Sequence, residues 1–343
     1  MPAQTLRIID ANCNRIGEGL RFLEDVARFS LDDASLSKQL KTIRHGVIKS
    51  VTKLGTTLMS KRNSESDVGA NAEPMSKKQD LPSLITANAK RVEEGLRVLE
   101  ELAKLPEISQ TLDSTYFQRA RFALYTLEKD LLSRILRHQK RAQLTGLCLI
   151  LDTRVSGMTG PVNVVTQAIR GGAKMIRLHY EHSKKSTLLT TAQKLKELCQ
   201  KTNTLFIVDD HLDIALAVDA DGLHISQEDL PMPLVRETLP IDKVIGYSVT
   251  NIKQAMKAEK EGADYIVVGV ELLRQIKQKV SIPVVATGGI TRDNITKVIA
   301  AGADAVAVSS AILNQKDRET AISQMVNRIA QQRKTHRKSG KNR

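Results

Sequence analysis

Two hydrophobic periods succeed each other along the chain. Over the first third, apolar residues recur at helical spacing: Ile9, Cys13, Ile16, Leu20, Leu23 and Ala27 follow steps of four and three, and Ile85, Ala89, Val92, Leu96, Leu99 and Ala103 repeat them. Such a stripe forms one buried face of a packed helix. The polar positions repeat as well. IDANCNRIGEGLRFLEDVA at 9–27 realigns on ITANAKRVEEGLRVLEELA at 85–103 with a constant offset of 76, keeping Asn12/Asn88, Arg15/Arg91, Glu18/Glu94, Gly19/Gly95, Arg21/Arg97 and Glu24/Glu100. Each copy runs on into a second periodic segment, near 33–60 and 109–139. Residues 1–140 are therefore predicted to form an all-α domain of two duplicated helical hairpins, paired about a pseudo-twofold axis.

From residue 146 the pattern changes to short β-rich runs, near 147–152, 175–180, 205–209, 222–225, 244–249, 265–270, 283–287 and 305–309, each followed by an amphipathic segment. Alternating βα units predict a parallel sheet, and their number specifies a (β/α)8 TIM barrel over 146–332; a doubly wound sheet is the alternative. Gly-Ala-Asp or Asp-Ala-Asp before strands four, six and eight marks the same helix-to-strand turn. The basic stretch 333–343 is expected to be a disordered tail.

Composition narrows the class. The chain has 343 residues, 41% hydrophobic and 26% charged, with no run near the roughly 18 apolar residues of a membrane span, so no membrane partner is expected. The opening MPAQTLRIIDANCNR lacks a basic stretch followed by an apolar run, which makes the cytoplasm the expected location. Cys13, Cys148 and Cys199 are too few and too far apart for a disulfide framework or a metal site, and are expected to be buried thiols. The net charge of +14 would attract polyanions, yet aromatics are 3% and tryptophan is absent, and much of the excess lies in Arg333, Lys334, Arg337, Lys338, Lys341 and Arg343. No nucleic-acid partner is expected. A homo-oligomer is compatible with the sequence but not dictated by it.

The repeated polar residues Asn12, Arg15 and Glu18, with their copies Asn88, Arg91 and Glu94, have two readings. They line a ligand cleft, or they merely surround a close helix crossing at Gly19 and Gly95, glycines that would otherwise cost about 1 kcal/mol each in a helix interior. Arg21 with Asp25 and Arg97 with Glu101 have i,i+4 spacing for surface ion pairs. The polar loop 60–80 holds Asp67-Val68-Gly69, its single candidate for nucleotide contact, and no Walker-type phosphate loop occurs in the chain. In the barrel, chemistry belongs at the C-terminal strand ends. Asp209-Asp210 after strand three and Asp229 after strand four can supply two carboxylates to a hard cation such as Mg²⁺, with helix capping as the alternative role. Gly288-Gly289 after strand seven and Ser309-Ser310 after strand eight suit a phosphate cradle.

Two resemblances follow from these residues. The pattern IDANxNRxxEGLRxLEDxAR, the loop Asp-Val-Gly and the second NxxRxxEGLRxLEE resemble the helical domain fused ahead of thiamine phosphate synthase in some bacteria, a family assigned hydroxymethylpyrimidine-phosphate kinase activity; this implies ATP as its co-substrate. VDDHLDIALAVDADGLHISQEDLP at 208–231, IGYSVTNIKQAMKAEKEGADYIVVGV at 245–270 and IPVVATGGITRDNITKVIAAGADAVAVSSAI at 282–312 resemble thiamine phosphate synthase itself. That family joins 4-amino-2-methyl-5-hydroxymethylpyrimidine diphosphate to a thiazole phosphate and expels diphosphate, so the implied partners are phosphorylated small molecules. Carried over by position, Asp210 and Asp229 bind Mg²⁺, Asp209 and Ser248 contact the pyrimidine diphosphate, and Gly289, Ser309 and Ser310, beside Gly288, hold the thiazole phosphate.

Three departures stand against this. The family's Gln-x-Arg-x-Lys after strand two reads Arg177-Leu178-His179-Tyr180-Glu181, its Asn-Asp reads Asp209-Asp210, and its Thr-x-Thr-Lys loop after strand six is absent. Arg177 and His179 are then the candidate catalytic groups, Arg177 as a replacement cation for the diphosphate, with Lys184 and Lys185 near the same loop. Alternatives are a barrel that binds a phosphorylated ligand without turnover, or an isomerase like the thiazole tautomerases, which the resemblance disfavours because Thr250 stands where their histidine would.

Overall fold

The computed structural model describes residues 2–60, 80–152, 160–180 and 184–340. The chain divides into two compact units, 1–136 and 137–343. Asp67-Val68-Gly69 and Glu181 lie outside the described residues.

The first unit is helical: α1 (Ala3–Phe29), α2 (Ala34–Val51), a 3₁₀ turn at Thr52–Leu54, α3 (Gly55–Ser60), α4 (Leu81–Leu102) and α5 (Ser114–Gln143), whose last turns belong to the second unit. Asp33 caps α2 by accepting from the Leu36 amide, and Asp80 caps α4 by accepting from the Ser83 amide, each at 2.9 Å. The stripes read from the sequence are the core. Ile9, Ile16, Leu20, Leu23, Ile85, Val92, Leu96 and Leu99 are all fully buried, each Leu or Ile contributing about 1.5–3 kcal/mol of apolar burial. The duplication shows in the contacts. A Cβ on Gly19 would lie 2.6 Å from Val92 Cγ2 and 3.1 Å from the Asn88 carbonyl, and one on Gly95 would lie 2.8 Å from Ile16 Cγ1 and 3.5 Å from the Asn12 carbonyl. α1 and α4 thus cross through their glycines in a reciprocal way, as a pseudo-twofold demands. Buried Glu24 holds Arg44, and buried Glu100 holds Arg121, at 2.8 and 3.0 Å.

The second unit is a closed parallel barrel with each strand paired to its sequence neighbours and β1 to β8. Its strands are β1 (Gly146–Asp152), β2 (Met175–His179), β3 (Leu205–Asp209), β4 (Gly222–Ile225), β5 (Val244–Ser248), β6 (Tyr265–Gly269), β7 (Val284–Thr287) and β8 (Ala305–Val308). Closure excludes the doubly wound sheet. The intervening helices are α6 (Pro161–Arg170), α7 (Lys185–Lys201), α8 (Leu212–Ala217), α9 (Met232–Thr238), α10 (Ile252–Lys260), α11 (Leu273–Lys277) and α12 (Ile295–Ala300), and after β8 come α13 (Ser310–Leu313) and α14 (Arg318–Gly340). Of the stretch 333–343 expected to be a disordered tail, the backbone is helical through Gly340 as the end of α14, and 341–343 lie outside the described residues.

The recurring Asp before even strands has a double role. Asp221, Asp264 and Asp304 accept from the amides of Phe206, Ile245 and Val284, at 2.9, 2.9 and 2.7 Å, at the start of the preceding strand. Each also takes a basic partner, Lys196, Arg236 and Lys277 respectively. These carboxylates stitch the N-terminal end of the barrel, away from the strand ends where chemistry is expected. No helix among the described residues is long and apolar enough to cross a membrane.

Candidate active site

Strand alternation decides which side chains enter the barrel. One parity packs outward against the helices; the other forms a second cluster that includes Cys148, Met175, Leu205, Ile207, Val244, Tyr265, Val285 and Ala305. Continuing that inward parity toward the C-terminal ends gives Arg177 and His179 on β2, Asp209 on β3, His224 on β4 and Ser248 on β5. The candidate residues are therefore the polar extension of the barrel core.

Arg177 and Asp209 form its floor. Both are buried, at 6% and 2% exposure, and pair bidentately, Nε to Oδ1 at 3.0 Å and Nη2 to Oδ2 at 2.7 Å. Burial alone would raise the Asp209 carboxyl, but the Arg177 guanidinium, His179 and His224 together hold it below the usual carboxylate range. Burial likewise opposes the charge on Arg177, and Asp209 outweighs it, so the guanidinium stays charged. This corrects the expectation that Arg177 is a replacement cation for a diphosphate: its charge is already spent on Asp209. The two positions at which the resemblance leads one to expect Gln and Asn thus hold a mutually neutralising pair, Arg177 with Asp209. Lys185 is also engaged, 2.6 Å from Asp213 on the exposed rim, and Lys184 is an exposed residue at the start of α7.

Above the floor lie Asp210 and Asp229. Asp210 takes a left-handed backbone, φ 63°, with its amide donating to the His224 carbonyl at 2.9 Å, which turns the carboxyl off the strand end. Asp229 accepts from the Ser226 amide and hydroxyl at 2.7 Å each. Burial, then the negative charges of Asp209 and Asp229, raise the Asp210 carboxyl to about 7, and it shares a hydrogen bond with Asp229. His179 Nδ1 is 3.5 Å from Asp209 Oδ2 and 3.7 Å from Asp210 Oδ2. Two carboxyls forced together in this way are relieved by a cation. Two carboxylate donors are what a hard cation with a largely water-filled coordination shell requires; among the described residues no group of three or more His, Cys, Asp or Glu is placed to hold a metal.

Ser248 is hydrogen-bonded to His224, Oγ to Nε2 at 2.8 Å. His224 was not among the residues singled out from the sequence. Burial, then Arg177, pushes it down to about 3, so it is neutral. His224 Nδ1 and Tyr265 Oη have no hydrogen-bond partner among the described residues. Gly246 makes their approach feasible, since a Cβ there would lie 2.1 Å from Tyr265 Cζ and 2.5 Å from His224 Nδ1. The signal for His224 was present: a polar residue at an inward position of the apolar run Gly222-Leu223-His224-Ile225.

On the far side, Gly288 and Gly289 have φ of 87° and 59°, and a Cβ on either would meet nothing within 4 Å. The loop is open space bounded by backbone that favours glycine. Ser309 precedes α13 half-buried and Ser310 is exposed. After β6 only residues 270–272 precede α11, so no lid-length loop is built there.

In the helical unit the repeated polar residues do not converge. Asn12 and Asn88 turn their amides back onto the carbonyls of Ile8 and Leu84 at 2.8 Å, which satisfies them locally. Arg15, Glu18, Arg91 and Glu94 are exposed. The close crossing accounts for the repeated Gly19 and Gly95, and Glu18 lines a cleft of this unit together with Asp10, Asn14, Gly17 and Arg44. The ion pairs Arg21–Asp25 and Arg97–Glu101 form at 3.3 and 2.6 Å. Cys148 and Cys199 are buried, but Cys13 is only partly so and lines that cleft, which corrects the expectation of three buried thiols. Burial pushes all three thiols up to about 12.

Comparison with known proteins places these two units. The ThiD2 family matches residues 7–130, and the family described as thiamine monophosphate synthase matches 147–270 and 267–312. The second match is broken in two at 267–270, where the connection after β6 is short. The thiamine-phosphate synthase of Thermosynechococcus vestitus is 36% identical, with 95% of each chain covered, and that of Nostoc punctiforme 36%, with 93% of this chain and 92% of the relative covered. Among solved structures, thiamine phosphate pyrophosphorylase from Pyrococcus furiosus aligns with a TM-score of 0.53 at 34% identity, covering 56% of this chain and 98% of that one.

Proposed function

Because the chain belongs to the thiamine-phosphate synthase family, we propose that its barrel joins 4-amino-2-methyl-5-hydroxymethylpyrimidine diphosphate to a thiazole phosphate, releasing diphosphate, and that the helical unit supplies the diphosphate as a pyrimidine-phosphate kinase using ATP. Membership makes the protein a transferase of thiamine biosynthesis. The observation that carries the barrel reading is the Asp210–Asp229 carboxyl pair at the C-terminal strand ends, with Asp210 raised to about 7 by burial and its two neighbours.

Asp210 and Asp229 would hold Mg²⁺, which when bound neutralises charge on the departing diphosphate. The protein's own groups do the rest. Neutral His224 orients the Ser248 hydroxyl toward the pyrimidine end of the site, and the Arg177–Asp209 floor keeps that end polar while adding no net charge. The open Gly288-Gly289 turn and the Ser309-Ser310 step offer amides and hydroxyls to the thiazole phosphate. Breaking the carbon–oxygen bond leaves a pyrimidine methylene cation that the thiazole nitrogen captures, so no general base is needed and the work is positioning and charge stabilisation.

With Arg177 neutralised and the loop after β6 short, the described residues bring little positive charge to the diphosphate, and turnover should be slow and salt-sensitive. The test is the purified full chain with both phosphorylated substrates and Mg²⁺. Equal amounts of thiamine phosphate and diphosphate are expected. Binding of the substrates with no product would make the barrel a phosphate-ligand-binding module instead.

A further inference from the structure

One inward row of the barrel contains a glycine, and the gap it leaves brings two polar side chains together. In the strand register His224 on β4 pairs with Gly246 on β5, and Gly246 pairs with Tyr265 on β6. With no side chain on the middle strand, residues two strands apart meet over it. A Cβ on Gly246 would lie 2.4 Å from Tyr265 Oη and 2.5 Å from His224 Nδ1, so both atoms sit within 2.5 Å of one point. The two ring centroids are 5.8 Å apart and the planes are tilted by 31°. His224 and Tyr265 are both buried, and neither Nδ1 nor Oη has a hydrogen-bond partner among the described residues. Polar atoms buried this deeply are normally satisfied, by a neighbour or by an enclosed water.

Counting donors decides how. A neutral imidazole carries one N–H and one bare nitrogen, and burial keeps His224 neutral and the Tyr265 phenol protonated. With the imidazole proton on Nδ1, that nitrogen would donate to Tyr265 Oη, and the phenol proton would be left without an acceptor among the described residues. With the proton on Nε2, the phenol donates to Nδ1, Nε2 donates to Ser248 Oγ at 2.8 Å, and both orphaned atoms are satisfied. The Ser248 proton is then free to point into the site. We propose that Tyr265 is a positioning residue: its hydroxyl donates to His224 Nδ1, directly or across one enclosed water, which holds the imidazole proton on Nε2 and makes Ser248 a hydrogen-bond donor to the substrate. Ser248 thereby reads an acceptor, such as a ring nitrogen of the aminopyrimidine. The substrate is taken from the synthase reading, whereas the placement of the proton rests on the two orphaned atoms alone.

Long-range proton–nitrogen NMR spectra of the labelled full chain read the imidazole proton directly and need no variant. His224 is the ring whose signals stay fixed as pH falls from about 8 to about 5 and are missing in His224→Gln. A single form protonated on Nε2, with Nδ1 shifted as a hydrogen-bonded acceptor, is expected; protonation on Nδ1 overturns the proposal. Tyr265→Phe deletes one hydroxyl and keeps the ring that fills the barrel, so the fold should hold. In it the Nδ1 signal should move toward that of an unbonded nitrogen, and an unchanged His224 spectrum overturns the proposal. Calorimetry with the pyrimidine diphosphate and Mg²⁺ tests the consequence. Tyr265→Phe should weaken binding by about threefold to tenfold, the value of one hydrogen bond, and should add nothing in a Ser248→Ala background. The same loss in both backgrounds would mean that the hydroxyl acts by packing, which also overturns the proposal. A native chain that gives the expected His224 spectrum and response to Tyr265→Phe, yet never binds the pyrimidine diphosphate, supports the proton placement and removes the synthase reading. Product formed by a chain with His224 protonated on Nδ1 does the reverse.

Discussion

The Arg177–Asp209 pair allows a quantitative test of the barrel floor. Removing one member leaves the other charged inside the barrel: Arg177→Gln strands Asp209 at 2% exposure, and Asp209→Asn strands Arg177 at 6%. Breaking a buried pair from one side typically costs about 3–5 kcal/mol. At about 2–4 °C per kcal/mol for a domain of this size, either single variant should lower the midpoint of the barrel's thermal transition by about 6–20 °C. Replacing both groups by the uncharged amides of the family pattern, Arg177→Gln with Asp209→Asn, removes the stranded charge and should return most of that loss. Denaturant unfolding of all four forms closes the cycle, with a coupling of about 3 kcal/mol or more expected. Additive losses, or an Arg177→Gln that costs less than about 1 kcal/mol, would show that the guanidinium is exposed to solvent or ligand, as a diphosphate-binding cation must be.

The remaining predictions follow from single contacts. Asp210→Asn and Asp229→Asn should each abolish Mg²⁺-dependent diphosphate binding by calorimetry while leaving the circular dichroism unchanged; unaltered binding in both removes the metal assignment. Gly246→Ala places a methyl 2.1 Å from Tyr265 Cζ, and the overpacking should cost about 1–3 kcal/mol in denaturant unfolding. Glu93 is raised from its ordinary 4.5 to about 7 by burial and then by the Glu128 carboxylate. Its protonated form therefore favours the fold, a contribution complete below pH 4.5 and lost as pH rises through about 7. Thermal midpoints of the helical unit should fall over that interval, and Glu93→Gln should flatten the fall; parallel profiles would exclude it as the cause.

What the sequence determined by itself is what periodicity carries. The duplicated helical stripe, the eight βα units and even the Asp before strands four, six and eight are local patterns, because burial on a helix or strand imposes its period on the residues in order. The candidate strand ends were legible for the same reason: Asp209, Asp210, Asp229 and the glycines after strand seven lie where a barrel places its chemistry, whereas Ser248 was named only through the family resemblance. Tertiary structure decided which charges are available. Arg177 and Asp209 lie 32 residues apart, and nothing in the spacing says that one neutralises the other; only the shared inward parity of β2 and β3, and a barrel too narrow to hydrate an ion, make them a pair. His224 stood in the sequence as a polar residue at an inward position of an apolar run, but its partner Ser248 came into view only with the pairing of β4 and β5. In the helical unit Asn12 and Asn88 were conspicuous because they recur, yet they serve their own helix, their amides donating to the carbonyls of Ile8 and Leu84.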